Sequence, residues 1–156
     1  MYNSPSFGKL DSASLKKRIS VYMTEKKEAN YRIIVGADSQ KARVNNYDFV
    51  VAIVIHRVGS GGIYFWKRNV VSQKMSLKER MYQEAILSLQ SAEKVFELLR
   101  ENGISKYNIE IHVDIGRKGE TRELISEIVG MVRGSGYSVK IKPDSFGASK
   151  VADRHT

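Results

Sequence analysis

Apolar positions along this chain recur with two periods, and the points where one gives way to the other outline its elements. In residues 11–28, DSASLKKRISVYMTEKKE, Leu15, Ile19 and Met23 return at every fourth position behind cap-type residues, the spacing of an amphipathic helix whose other face is nearly all lysine and arginine. Residues 31–37 (YRIIVGA) are apolar almost throughout and end in small side chains, which predicts a central strand buried on both faces. Residues 47–57 (YDFVVAIVIHR) and 63–71 (IYFWKRNVV) are rich in β-branched and aromatic residues, and Gly59, Ser60, Gly61 and Gly62 between them predict a hairpin turn.

Ser76-Leu77-Lys78-Glu79 then has the S-x-x-E form of a capping box, opening a helix that runs to about Arg100 and stops at Asn102-Gly103. Residues 109–115 (IEIHVDI) alternate cleanly, with Ile109, Ile111, Val113 and Ile115 on one face and Glu110, His112 and Asp114 on the other. A further helix over 120–133, a last strand over 137–142 closed by Pro143, and a short helix in the tail SFGASKVADRHT complete the chain. Three strands joined by hairpins and followed by β-α-β units predict an α/β fold: a mixed five-stranded sheet flanked by helices, one domain over 1–156 with 1–30 as a helical extension.

Composition narrows the function classes. The longest apolar run covers only residues 49–55, against the roughly 20 needed to span a bilayer by helix, and MYNSPSFGKL lacks the basic start and apolar segment of a secretory signal, which points to the cytoplasm. Without cysteine there is no disulfide, thiolate zinc site or cysteine nucleophile. The 26 Lys and Arg against 17 Asp and Glu leave a net charge of +9, which suits a polyanionic partner such as RNA, DNA or a hybrid of the two.

Against that basic background the placement of the carboxylates is informative. Asp38 closes the first predicted strand and Asp114 lies near the end of the fourth; as parallel neighbours about 4.8 Å apart, these strands would bring both carboxylates to one crevice at the sheet's carboxyl end. Two like charges that close call for a cation, and an all-oxygen donor set suits magnesium or manganese. Glu84 follows Leu77 and Met81 and precedes Ser88 and Ala92, on or beside the helix stripe that faces the sheet, where it is either a ligand or a side chain reaching to solvent. Glu79 occupies the capping-box position and Asp144 is placed to cap the final helix, both with local roles that compete with ligation. Asp153, with Ala148 and Ala152 near it, is the stronger C-terminal candidate; His155 is a proton carrier or an exposed terminal residue, and Ser39 adjoins Asp38. His112 reads as a hydrogen-bonded, semi-buried residue. For the substrate backbone the basic candidates are Arg117 and Lys118 after Asp114, Arg122 one helical step on, and Lys67, Arg68 and Lys74; Tyr64, Phe65 and Trp66 are either base-stacking or packing residues.

An aspartate closing the first strand, a glutamate on the helix after three strands, an aspartate ending the fourth and an "AD" in the last helix together resemble the ribonuclease H-like superfamily. Within it, GADSQ, SLKER, HVDIGRKGETRELI, VGMVRGSGY, KIKPDSFGAS and VADRHT resemble segments of the YkuK family of predicted ribonuclease H-related proteins. The resemblance implies that the first three strands are antiparallel, that the fourth and fifth run parallel to the first, and that phosphodiester bonds are hydrolysed with two Mg or Mn ions held by Asp38, Glu84, Asp114 and Asp153. A non-catalytic nucleic-acid-binding module on the same fold, and a partner-binding protein whose carboxylates are caps and turns, are the rival expectations.

Overall fold

The computed structural model describes residues 1–116, 119, 122–145, 147 and 155. Tyr2–Ser4 (β1) and Gly8–Leu10 (β2) form a small hairpin before the helix Ser12–Glu25 (α1). Tyr31–Arg43 (β3), Asn46–Arg57 (β4) and Gly62–Val71 (β5) form the antiparallel meander, and Leu77–Leu99 (α2) follows it. Ile109–His112 (β6), Ile125–Gly134 (α3) and Ser138–Lys140 (β7) complete the described elements, in a seven-stranded sheet of order β2-β1-β5-β4-β3-β6-β7.

The sheet is therefore mixed, with β6 parallel to β3 and β7 parallel to β6. It is also wider than the five strands expected. The segment over 1–30 read as a helical extension carries two further strands, which lengthen the sheet beyond β5. Three residues of mixed polarity are too short to show a strand period. Their placement rests on tertiary contacts: Tyr2 pairs with Leu10 and is 7% exposed, and its hydroxyl lies 3.0 Å from Ser91 Oγ on α2.

The two longer helices have side-chain caps at their starts. Asp11 accepts from the Ser14 amide at 2.8 Å and caps α1, which buries Leu15 and Ile19. At α2 both halves of the capping box are present, Glu79 N–H to Ser76 Oγ at 3.1 Å and Ser76 N–H to Glu79 Oε1 at 3.3 Å. The chain after α2 reverses at Gly103, whose φ of 81° lies in the left-handed region that a side chain would disfavour.

One hydrophobic cluster joins α1, α2 and α3 to a single face of the sheet, with Leu15, Ile19, Val35, Phe49, Ile111 and Ile128 inaccessible to solvent. The other face carries a small cluster of Ile34, Val50 and Ala52 with Val54 and Trp66 packed on it. Two strand ends differ from the sequence expectation, and both differences bear on the site. β3 does not stop at Asp38 but continues to Arg43, paired with β4 apart from a register shift between Lys41 and Arg43, whereas β6 stops at His112, so Asp114 lies beyond its strand. The last strand is shorter than 137–142, and the helix expected over 120–133 has a 3-10 turn at Arg122–Leu124 before α3. The short C-terminal helix lies outside the described residues apart from Gly147 and His155. Among the described residues no helix is long and apolar enough to cross a membrane.

Because Tyr2 anchors the unexpected hairpin, Tyr2→Ala should cost about 3 kcal/mol in urea unfolding, the range of large-to-small core substitutions. A loss below about 0.5 kcal/mol, the size of an ordinary surface substitution, would mean that the hairpin is not docked.

Candidate active site

The parallel ladder between β3 and β6 ends at the pair Gly36 and His112. Side chains repeat every two residues along a strand, so Asp38 and Asp114, each two positions farther on, leave their chains at equivalent places just past the last pair. β3 is held straight there by β4, with Asp38 opposite Val50, while the other chain is released from the ladder. The gap that opens between them is where the two carboxylates face the crevice, both half-buried.

The third carboxylate comes from the helical side. Glu84 is one turn below Arg80 on the inward stripe of α2 and is only 4% exposed. The Ser39 hydroxyl donates to its Oε2 at 2.5 Å. Arg80 in turn grips Ser39, with Nη2 donating to the Ser39 carbonyl at 2.9 Å and Nε to its hydroxyl at 3.2 Å, while its guanidinium lies over the Tyr47 ring. Burial pushes the Glu84 carboxyl up to about 8, and the negative fields of Asp38 and Asp114 push in the same direction; the Ser39 hydrogen bond and the charge of Arg80 oppose them. Glu84 is thus in electrostatic contact with both strand carboxylates, and without a further cation the cluster keeps its proton at neutral pH.

Asp114 already has a cationic neighbour, Lys142 Nζ at 3.0 Å from its Oδ1. Lys142 is tied to the chain beyond β6 by its backbone N–H to Ile115 O at 2.9 Å. Its side chain runs over Gly116, where an added Cβ would stand 3.2 Å from the Lys142 Cβ, so glycine leaves the lysine its path to Asp114. Neither Arg80 nor Lys142 stood out in the sequence. The signal for Arg80 was its position one helical turn before Glu84; for Lys142, a lysine at the end of a strand offers none.

The remaining candidates separate. Glu79 is committed to the capping box and exposed, and Asp144 is exposed with its amide bonded to Ile141 O at 2.8 Å. Lys67 and Arg68 are neighbours on β5 and so point to opposite faces: Lys67 lies over the Tyr2 ring, and Arg68 pairs with Asp48 at 3.7 Å. They do not form one patch with Lys74, which is exposed in the loop before α2. Arg122 is exposed in its 3-10 turn. Asp153, Arg117 and Lys118 lie outside the described residues.

His155 is not a free terminal side chain. Its ring stacks on Trp66 at 4.4 Å, its Nε2 is 3.1 Å from the Tyr64 hydroxyl, and Arg68 donates to its carbonyl. Tyr64 and Trp66 thus serve as a seat for His155, while Phe65, on the opposite face, is wholly in the core. His112 is buried on the face that carries Tyr64 and Trp66. Its Nδ1 accepts from the Gly147 amide at 3.3 Å, which puts the proton on Nε2, 3.2 Å from Glu110. Glu110 is gripped by both arms of Arg32 at 2.8 and 2.7 Å, and this pairing, with the His112 bond, draws its carboxyl down to about 2.

The raised Glu84 has a stability consequence with a definite sign. Between about 4.5 and 8 the unfolded chain gives up the proton that the folded chain keeps, so stability falls as pH rises through that window and the full penalty stands above pH 8. Glu84→Gln, which removes the charge and keeps the shape, should raise the unfolding temperature at pH 8, with the gain vanishing towards pH 4. A pH-independent difference between the two proteins in thermal unfolding would contradict the assignment.

A model of the ribonuclease H-like family matches residues 14–156. The uncharacterized protein YkuK of Bacillus subtilis (strain 168) is 31% identical over 151 residues, covering 90% of this chain and 87% of that relative. No solved structure matches the chain. The family match spans β3, β6 and α2, and the chain belongs to the ribonuclease H-like family, alongside YkuK.

Proposed function

We propose that the protein is a metal-dependent nuclease that hydrolyses phosphodiester bonds of RNA or DNA, with Asp38, Glu84, Asp114 and Asp153 as ligands of two magnesium or manganese ions. The observation that carries this reading is Glu84: a carboxylate 4% exposed, on a helix, within the field of two further carboxylates. A fold gains nothing from burying a third acid beside two others unless a cation compensates them.

The donor chemistry fits a hard divalent ion, since all the candidate ligands are carboxylates. Positive or donating groups already compensate two of these acids: Lys142 on Asp114 and the Ser39 hydroxyl on Glu84. When bound, the ions supply an activated water and charge stabilisation at the leaving oxygen. The chain's own contribution is positional. The antiparallel pairing on both sides of β4 fixes the direction from which Asp38 enters the crevice. Arg80 holds Ser39, and Ser39 holds the Glu84 carboxylate, so a helix side chain is registered against a strand. Lys142, 57% exposed, is able to exchange its carboxylate partner for a substrate phosphate.

One observation favours a second reading. Among the described residues no three His, Cys, Asp or Glu side chains are grouped closely enough to hold an ion, and the Lys142–Asp114 pair already neutralises one acid, as in a non-catalytic nucleic-acid-binding module on the same fold.

A cleavage panel of single strands, duplexes and RNA–DNA hybrids in manganese separates the two. The nuclease reading expects cleavage that a chelator abolishes and that Asp38→Asn or Asp114→Asn lowers by about a hundredfold or more, with binding retained. Nucleic acid that is bound but never cut, or cleavage indifferent to both substitutions, would establish the other reading or remove the assigned site.

A further inference from the structure

The contacts that His155 makes on β5 are more specific than packing alone requires. Tyr64, Trp66 and Arg68 share the face of β5 opposite the main hydrophobic cluster, in register with Val54, Ala52 and Val50 of β4 and with Ile34, Gly36 and Asp38 of β3. Arg68 and Asp38 thus lie in one cross-strand row, and Trp66 stands about 12 Å from Asp38 by strand spacing and rise. β5 is not an open edge at this point, because Asn3 of β1 pairs with Trp66 and donates to its carbonyl at 3.4 Å. The His155 imidazole lies nearly parallel to the indole, with 12° between the planes and 4.4 Å between the centroids. Its Nε2 is 3.1 Å from the Tyr64 hydroxyl, and the His155 carbonyl accepts from Arg68. Arg68 is braced by Asp48 at 3.7 Å, with its guanidinium 5.7 Å from the Trp66 ring centre.

A flat nitrogen heterocycle stacked on an aromatic face, hydrogen-bonded at a ring nitrogen and flanked by a cation is held as proteins hold an unpaired nucleobase. We propose that Trp66, Tyr64 and Arg68 form a seat for one unstacked base of a single-stranded nucleic acid, and that His155 occupies this seat until the strand displaces it. Trp66 supplies the stacking face. The Tyr64 hydroxyl, which both donates and accepts, meets a ring nitrogen or carbonyl at the base edge, and Arg68 meets a base carbonyl or the adjoining phosphate. A duplex keeps its bases paired and stacked inside the helix and offers the seat no ring. The seat lies on the face from which Asp38 projects, so a strand whose backbone is at the carboxylates passes close to it. The inference takes nucleic acid as the ligand from the proposed function, but it concerns binding without divalent ions and holds or fails without any cleavage.

Trp66 is the single tryptophan of the chain, so its fluorescence reports on the seat directly. The protein is titrated, without divalent ions, with a single-stranded oligonucleotide, a strand of the same length whose sugars carry no bases, and a duplex of the same sequence. The single strand should quench Trp66 emission to saturation, whereas the abasic strand and the duplex should leave it unchanged. His155→Ala should bind the single strand about two- to twelvefold more tightly, the worth of a ring pair that no longer has to be displaced. His155→Phe, which puts a ring back, should return the affinity towards that of the wild-type protein. The abasic strand, followed by anisotropy, should bind all three proteins alike. Equal quenching by the abasic strand, or His155→Ala binding the single strand no more tightly than the wild-type protein, would overturn the seat. Base-dependent quenching in a protein that cleaves nothing would sustain it while removing the nuclease reading.

Discussion

The burial of a single carboxylate governs the rest of this structure. Glu84 is buried by a capped, amphipathic helix within the electrostatic reach of Asp38 and Asp114, where β3 and β6 part, and the like charges oppose its ionisation. The protein answers with local means: a serine hydroxyl aimed at Glu84, an arginine holding that serine, a lysine on Asp114, and a proton retained on Glu84 itself. Each is the kind of group that a divalent cation would displace or make unnecessary, and the proposed metal site rests on that.

The sheet makes that arrangement possible by being asymmetric. One face is covered by α1, α2 and α3 and supplies nearly all the hydrophobic cluster. The other is thinly covered and carries polar links, Arg32 to Glu110 to His112 to the Gly147 amide, and the stacking of His155 on Trp66. These links fasten C-terminal residues to the face from which Asp38 and Asp114 project. Three of the 17 acids of this +9 protein lie where β3 and β6 part, and the proposed site takes its cations there.

Most of the fold was legible in periodicity because its elements are long and one-sided: the capping box at Ser76, the alternation from Ile109 and the continuous apolar run of β3 each carry several residues of signal. What escaped had little local signal. β1 and β2 are three residues each and are held by Tyr2 against α2, a contact between distant parts of the chain. The end of β3 was misplaced because small residues and an aspartate look like a strand terminus, when the pairing with β4 carries the backbone on to Arg43. The candidate site was legible as far as Asp38, Asp114 and Glu84, residues whose chemistry contradicts their surroundings. Arg80 and Lys142 were not, because a basic residue in a basic chain attracts no notice until the structure shows what it touches.

The central claim, that these three carboxylates form one cation site, makes a direct thermodynamic demand. A divalent ion bound there at pH 7 must expel the proton that Glu84 holds. Calorimetric titration of manganese in buffers of different ionisation enthalpy counts that proton. The expected result is release of close to one proton per Glu84 site in the wild-type protein, none in Glu84→Gln, and no binding at this site in Asp38→Asn. Manganese binding without proton release, or binding unaffected by either substitution, would contradict it.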